Sequence, residues 1–208
     1  MNSLFRIIFK IFLFLVLISG CSGLQTKRDV IPDNTFVSNN PNVSINVSPE
    51  FKYIGNPTYK GSSTSVKGTK LRTSFDSYCF VENDNNMVKR YVAIQIHKTE
   101  TQFVSDFFGN EKYSVAKGIT KCGGKNFQYF TRDYRPAMTN YMTRHIADQG
   151  YTMGYGIIKV FGRVYGAKGN TLVKIIYYES LGDSRFDYNF LSQFDKRADL
   201  SFDIGIDR

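Results

Sequence analysis

The sequence predicts an α+β fold, a mainly antiparallel sheet with about three helices, in a single domain that follows a leader and a flexible tether. Three observations carry this. Apolar residues alternate with a period of two through several segments bounded by turn-forming residues. Other segments repeat apolar residues at helical spacing. The strands come as consecutive pairs joined by short turns, the order of antiparallel hairpins rather than of alternating strand and helix. The 208 residues include 18 Phe, 14 Tyr and no Trp. That is enough apolar material for a core and too aromatic for global disorder.

The chain opens with a basic stretch containing Arg6 and Lys10, then eight apolar residues from Ile11 to Ile18, then Ser19, Gly20 and Cys21. Eight residues are too few to cross a bilayer, which takes roughly 20. Basic residues, a short apolar run and small residues are the layout of a secretory leader. Ile18-Ser19-Gly20-Cys21 resembles the lipobox of bacterial lipoproteins. The resemblance implies that residues 1–20 are removed, that the Cys21 sulfur takes a diacylglyceryl group, and that its freed amine is acylated. The membrane would then be a partner through lipid on Cys21, and two or more acyl chains anchor stably where one does not. Ser22 rather than an acid follows, which in that class favours the outer membrane, facing the periplasm, if the host has two membranes. Losing the leader lowers the formal net charge from +9 by the two units of Arg6 and Lys10.

Residues 21–42, polar and carrying Pro32 and Pro41, read as the lipidated cysteine and its tether, and residues 43–208 as the domain. Val43, Ile45 and Val47 alternate as a strand, and "FKYIG" continues the extended pattern. Residues 55–70 read as a polar loop. "SYCFVEN" and "VKRYVAIQIH", joined by "NDNN", form a hairpin. Thr99 and Gln102 have capping-box spacing for a helix ending at Gly109. "ITKCGGKNFQYF" is a second hairpin, with Gly123-Gly124 suited to a tight primed turn. Met138, Tyr141, Met142, His145 and Ile146 share one face of a helix over 136–149, stopped by Gly150. "YGIIKVFGRVYG" and "TLVKIIYYES" pair across "AKGN", with Lys159, Arg163 and Lys174 on solvent faces, and Phe190, Leu191, Phe194 and Ala198 mark a closing helix.

Cys79 and Cys122 remain after the leader. In an exported protein an even pair reads as a disulfide, closing a loop of about 40 residues; two buried free thiols are the alternative. His97 with Glu100 and His145 with Asp148 have spacings that would suit zinc if the pairs met, against the commoner outcome of core histidines. Ser105-Asp106 with His97 is the one triad the composition leaves open for a hydrolase. No Gly-x-Ser-x-Gly, His-Glu-x-x-His or Walker pattern is present, and Gly154-Tyr-Gly156 precedes a strand, the wrong context for a dinucleotide loop. No cofactor is implied. Lys117, Lys121, Lys125, Arg132 and Arg135 are interleaved with aromatic residues and form a candidate surface for an anionic ligand. On an exported chain that ligand is an anionic envelope polymer or lipid, not nucleic acid. The reading is therefore an envelope lipoprotein whose domain binds a protein or polymer without catalysis, with an envelope hydrolase built near the histidines as the alternative.

Overall fold

Two tight turns hold the long hairpins. Asn85 and Asn86 have φ of 46° and 67°, and Gly123 and Gly124 have φ of 54° and 72°. Two successive residues in the left-handed region make the primed turn whose twist matches that of paired strands. The computed structural model describes residues 26–64, 70–99, 113–166, 169–182 and 188–205. The leader, Cys21, Glu100, Ser105-Asp106 and the helix expected beyond Thr99 lie outside them.

The strands are β1 (Arg28–Ile31), β2 (Thr35–Asn39), β3 (Asn42–Val47), β4 (Lys52–Gly55), β5 (Thr58–Thr64), β6 (Lys70–Asp84), β7 (Met87–Thr99), β8 (Ala116–Cys122), β9 (Lys125–Tyr134), β10 (Gly156–Tyr165), β11 (Thr171–Ser180) and β12 (Phe202–Gly205). The helices are α1 (Tyr141–Asp148) and α2 (Tyr188–Leu200). The large sheet runs β4-β6-β7-β11-β10-β9-β8, with β5 also on β6; the small sheet runs β1-β2-β3-β12. Every ladder pairing in both is antiparallel.

This is a largely β protein, and the expected α+β fold with about three helices is wrong. Strand makes up 60% of the described residues and helix 14%, in two helices. The segment read as tether supplies β1 and β2, because Phe36 packs into the core and β2 pairs with β3 along its length. The segment read as a polar loop supplies β5, an edge strand paired to β6 from Thr58–Asp76 to Thr64–Lys70. Edge strands can be polar because only one side is covered.

The pleat sends alternate residues of the large sheet to two faces. On the first, Tyr78, Phe80, Val92, Ile94, Phe127, Phe161, Val173, Ile175 and Tyr177 form one core with Phe36, Val43, Ile45, Val47 and Phe202 of the small sheet and Phe194 and Ala198 of α2. On the second, Cys79, Val81, Tyr91, Ala93, Ile158, Val160, Ile176 and Tyr178 pack with Met142 and Ile146 of α1. Removing each large side chain from water contributes roughly 1.5–3 kcal/mol. Helix α1 is shorter than expected. It begins at the Asn140 cap, whose Oδ1 accepts from the Met142 N–H at 2.9 Å, so Met138 stays outside it and is exposed. It stops at Gly150 (φ 81°), where the Gly150 and Tyr151 amides donate to Ala147 and Ile146 carbonyls.

Lys159 was expected to face solvent and is 4% exposed. It points into the first face, where its ammonium lies 5.0 Å from the ring centres of Tyr129 and Phe161. Two carboxylates one turn apart on α2, Asp195 at 3.1 Å and Asp199 at 3.0 Å, supply its counter-charge. Arg197 of the same helix grips Glu179 of β11 through two bonds of 3.0 and 2.7 Å. The arginine's charged form is favoured by these bonds, which raise its pKa.

Replacing Asp195 and Asp199 together by Asn should leave that ammonium buried without a counter-charge, at a cost of about 3 kcal/mol. Adding Lys159→Met should recover most of it in urea denaturation; a double-Asn variant as stable as the parent would show that the pair does not hold α2. A Cβ on Gly123 would stand 2.1 Å from the Ile204 carbonyl oxygen, whereas one on Gly150 would meet nothing within 4 Å. Gly123→Ala should therefore cost about 2–3 kcal/mol and Gly150→Ala only about 1 kcal/mol, by thermal unfolding.

Candidate functional site

Alternation along β6 and β7 places Phe75, Ser77 and Cys79 beside Tyr91, Gln95 and His97 on the second face, in register through the pairs Phe75–His97 and Ser77–Gln95. Their polar atoms are linked. Tyr91 Oη donates to Cys79 Sγ at 3.1 Å, Cys79 Sγ lies 3.5 Å from Ser77 Oγ, and Gln95 Nε2 donates to Ser77 Oγ at 3.4 Å. Gln95 Nε2 also bonds the Tyr141 hydroxyl of α1, and Gln95 Oε1 accepts from His97 Nε2 at 2.9 Å. The His97 ring stacks on Phe75, centroids 4.3 Å apart and 24° between planes, and Phe75 in turn touches Tyr59 and Tyr141.

Loss of solvation governs the chemistry of this row. It pushes the half-buried His97 down to about 2, helped by the nearby Lys174 charge. Burial pushes the Cys79 thiol and the Tyr91 and Tyr141 hydroxyls up. At neutral pH the row therefore holds a neutral imidazole, a thiol and phenols: no thiolate to attack and no base strong enough to make one. It is a hydrogen-bonded scaffold that ties β6, β7 and α1 together. His145, on α1, is also pushed down by burial, against a smaller opposing effect of Asp148, and packs over Gly55. Among the described residues no group of three or more His, Cys, Asp or Glu is placed to hold a metal ion.

The expected Cys79–Cys122 disulfide is absent, and both are free cysteines. Cys79 packs in the core of the second face, and Cys122 against that of the first. Four strands, β7, β11, β10 and β9, also separate β6 from β8. At about 4.8 Å per strand the two lie far beyond the ~7 Å that a disulfide allows between Cα atoms. Burial raises the Cys122 pKa to about 11, with Asp199 and Asp203 adding to it.

The five basic residues do not form one patch. Lys121 and Lys125 flank the Gly123-Gly124 turn, Lys117 sits opposite Phe130 one pair from the open end of the ladder, and Arg132 and Arg135 lie beyond that end. Arg132 lies over Phe130, Arg135 over Tyr155 and beside Asp133, and Lys125 over Tyr165, where Arg163 also stacks. Lysines and arginines adjacent in sequence are thus spread over some 30 Å of strand.

A feature with no sequence signature lies where the described chain begins. Arg28 reaches from β1 to Asp76 of β6 (Nη1–Oδ2 2.8 Å) and to the Asn40 carbonyl (3.0 Å), while Thr58 donates to the other Asp76 oxygen at 3.0 Å. An open groove of about 390 Å³ beside it is lined by Thr26, Arg28, Asn56, Ser74, Asp76 and Lys98. A second, of about 570 Å³, runs over Lys27, Asp29, Val37 and Asn42. The second groove is local to the first three strands, whereas the first joins Thr26 and Arg28 to residues from Asn56 to Lys98, brought there by the contact of Arg28 with Asp76. Among the described residues no helix is long and apolar enough to cross a membrane. Comparison with known proteins finds no matching family model, no matching curated protein and no matching solved structure.

The His97 environment has a measurable consequence. Its folded pKa is depressed below the ordinary 6.5, so between about pH 6.5 and 2 the unfolded chain binds the extra proton and stability falls as pH falls. The loss should approach roughly 1 kcal/mol per pH unit. His97→Gln should flatten the profile between pH 7 and 4.5 in urea titrations. An unchanged slope would place the acid sensitivity elsewhere.

Proposed function

We propose that this chain is an envelope lipoprotein, anchored in a bacterial membrane through lipid on Cys21, whose β-rich domain binds a protein partner or an anionic envelope polymer rather than catalysing a reaction. The leader that ends in Ile18-Ser19-Gly20-Cys21 carries the reading: a basic start, an apolar run too short to span, and a cysteine at the cleavage position. In a host with two membranes, Ser22 favours the outer one, facing the periplasm. Supporting the non-catalytic part, the buried polar row offers no ionised nucleophile, and its one imidazole, His97, is a weak base. The thiol of Cys79 is pushed up and the imidazoles of His97 and His145 are pushed down.

Metabolic labelling with a fatty-acid analogue should mark the wild-type protein and not Cys21→Ser, which should accumulate with its leader uncleaved or leave the membrane fraction. Labelling of both to the same extent would refute the anchor. In-cell crosslinking of the anchored protein should recover either one protein near stoichiometrically or polymer fragments; turnover of an envelope ester or amide by the purified domain would overturn the binding assignment.

A further inference from the structure

We infer that one end of the large sheet is built to lie against anionic lipid headgroups; the inference rests on the lipid anchor proposed above. Its first ground is reach. The backbone is clamped from Lys27 onward: the Lys27 N–H donates to Asn39 Oδ1 at 2.8 Å and the Asn39 N–H to the Lys27 carbonyl at 3.2 Å. Only residues 22–26 separate that clamp from Cys21. Six residue steps at about 3.5 Å span at most about 21 Å in any conformation. An anchor at Cys21 therefore keeps Lys27 within that distance of the lipidated cysteine, at one corner of this end of the sheet.

The second ground is charge, arranged independently of the anchor. Strand register brings four segments to the Lys27 end: the last residues of β7, the end of β10 with the start of β11, and the β8–β9 turn. Lys98 pairs with Thr171, Thr171 with Tyr165, and Cys122 with Lys125, whose ammonium lies 5.9 Å from the Tyr165 ring. Lys98 shares a groove with Thr26 and Arg28. Gly123 of the turn abuts Ile204, at the same end of the small sheet. Lys27, Lys98, Lys121, Lys125 and Arg163 are thus gathered on one rim, and none of them has an ion-pair partner among the described residues. Among the described residues four cations toward the opposite end are paired, Arg90 with Glu50 and Glu82, Lys89 with Asp84, Arg135 with Asp133 and Arg197 with Glu179, while Lys52, level with Val81, is not; at the rim end Arg28 is the one paired cation, with Asp76. Most of the cations without an ion-pair partner thus lie where a lipid on Cys21 would hold the protein to a surface, and most of the paired ones where it would not. A negatively charged leaflet attracts basic residues within a Debye length, each strengthening contact roughly fivefold.

The absence of Trp allows a direct test on the lipidated, full mature protein in vesicles. Asn126→Trp places a single donor on the rim at the corner away from the tether, and Met87→Trp places one at the far end of β7, about 40 Å away along the strand. Both positions are exposed. With dansyl-labelled headgroups in phosphatidylglycerol-containing vesicles, Asn126→Trp should transfer energy at least twice as efficiently as Met87→Trp. Lys98→Gln with Lys121→Gln and Lys125→Gln, or 0.5 M salt, should at least halve the difference. Equal transfer from the two donors would overturn the proposal while leaving the anchor intact. A difference that is the same in phosphatidylcholine vesicles and insensitive to salt would overturn the charge assignment. Mass spectrometry finding no lipid on Cys21 would instead remove the anchor reading on which the inference rests.

Discussion

A lysine ammonium lies inside the first face of the large sheet, between two aromatic rings, and among the described residues α2 supplies its counter-charge. Much of the remaining architecture follows from that requirement. Lys159 needs carboxylates spaced one helical turn apart, and Asp195 and Asp199 supply them while Phe194 and Ala198 bury the helix's apolar side beneath. Fixing α2 there fixes where the chain emerges at Ser201, whose hydroxyl donates to the Arg197 carbonyl at 2.6 Å. Strand β12 then meets β3, from Phe202–Val47 to Gly205–Ser44, and the small sheet is completed over the half of the face that α2 leaves open. Isolated, a buried ion pair gives little net stability. Here its effect is positional: an unpaired ammonium in that core is costly, which favours the placement of the last helix that sets Asp195 and Asp199 beside it.

The second face solves a different problem. One short helix covers it, and the polar atoms of Ser77, Cys79, Tyr91, Gln95 and Tyr141 are satisfied by one another. The same burial that packs this row keeps its thiol, phenols and imidazole uncharged, because desolvation favours the neutral form of both acids and bases. Cys79, Tyr91 and Tyr141 are held protonated and His97 unprotonated, each by loss of solvation.

The hairpins were legible in the sequence because their signals are local. Asn85-Asn86 and Gly123-Gly124 announce turns through their own backbone preferences, and Gly150 stops α1 through a cap made within five residues. The errors lie where the deciding partner is distant. Nothing within residues 28–39 shows that Phe36 will meet Tyr78, with ring centres 4.6 Å apart, so a polar segment read as a tether. Lys159 looked solvent-facing because its counter-charges lie 36 and 40 positions later; two aspartates at i and i+4 on an otherwise apolar helix face were the available clue. The cysteine pair was read by compartment alone, which says nothing about which face of a sheet each thiol occupies. The basic run failed through the pleat and the strand length, which separate residues that are neighbours in sequence.

The misread tether matters most for function. A domain beginning at Val43 would stand as much as roughly 75 Å from a lipid on Cys21, free of any fixed relation to the bilayer. A backbone clamped at Lys27 leaves about 21 Å. Anchoring then ceases to be only an address. On the proposed anchor it would limit which surfaces can face the headgroups, and would favour the rim where strand register has set Lys27, Lys98, Lys121 and Lys125 without carboxylate partners among the described residues. The far end, with Arg90 and Lys89 neutralised by Glu50, Glu82 and Asp84, would on that proposal be the end presented away from the membrane. A partner approaching from that side meets a surface whose charges are already paired, so its recognition there depends on shape and on exposed apolar residues such as Met87 and Tyr155 rather than on net charge.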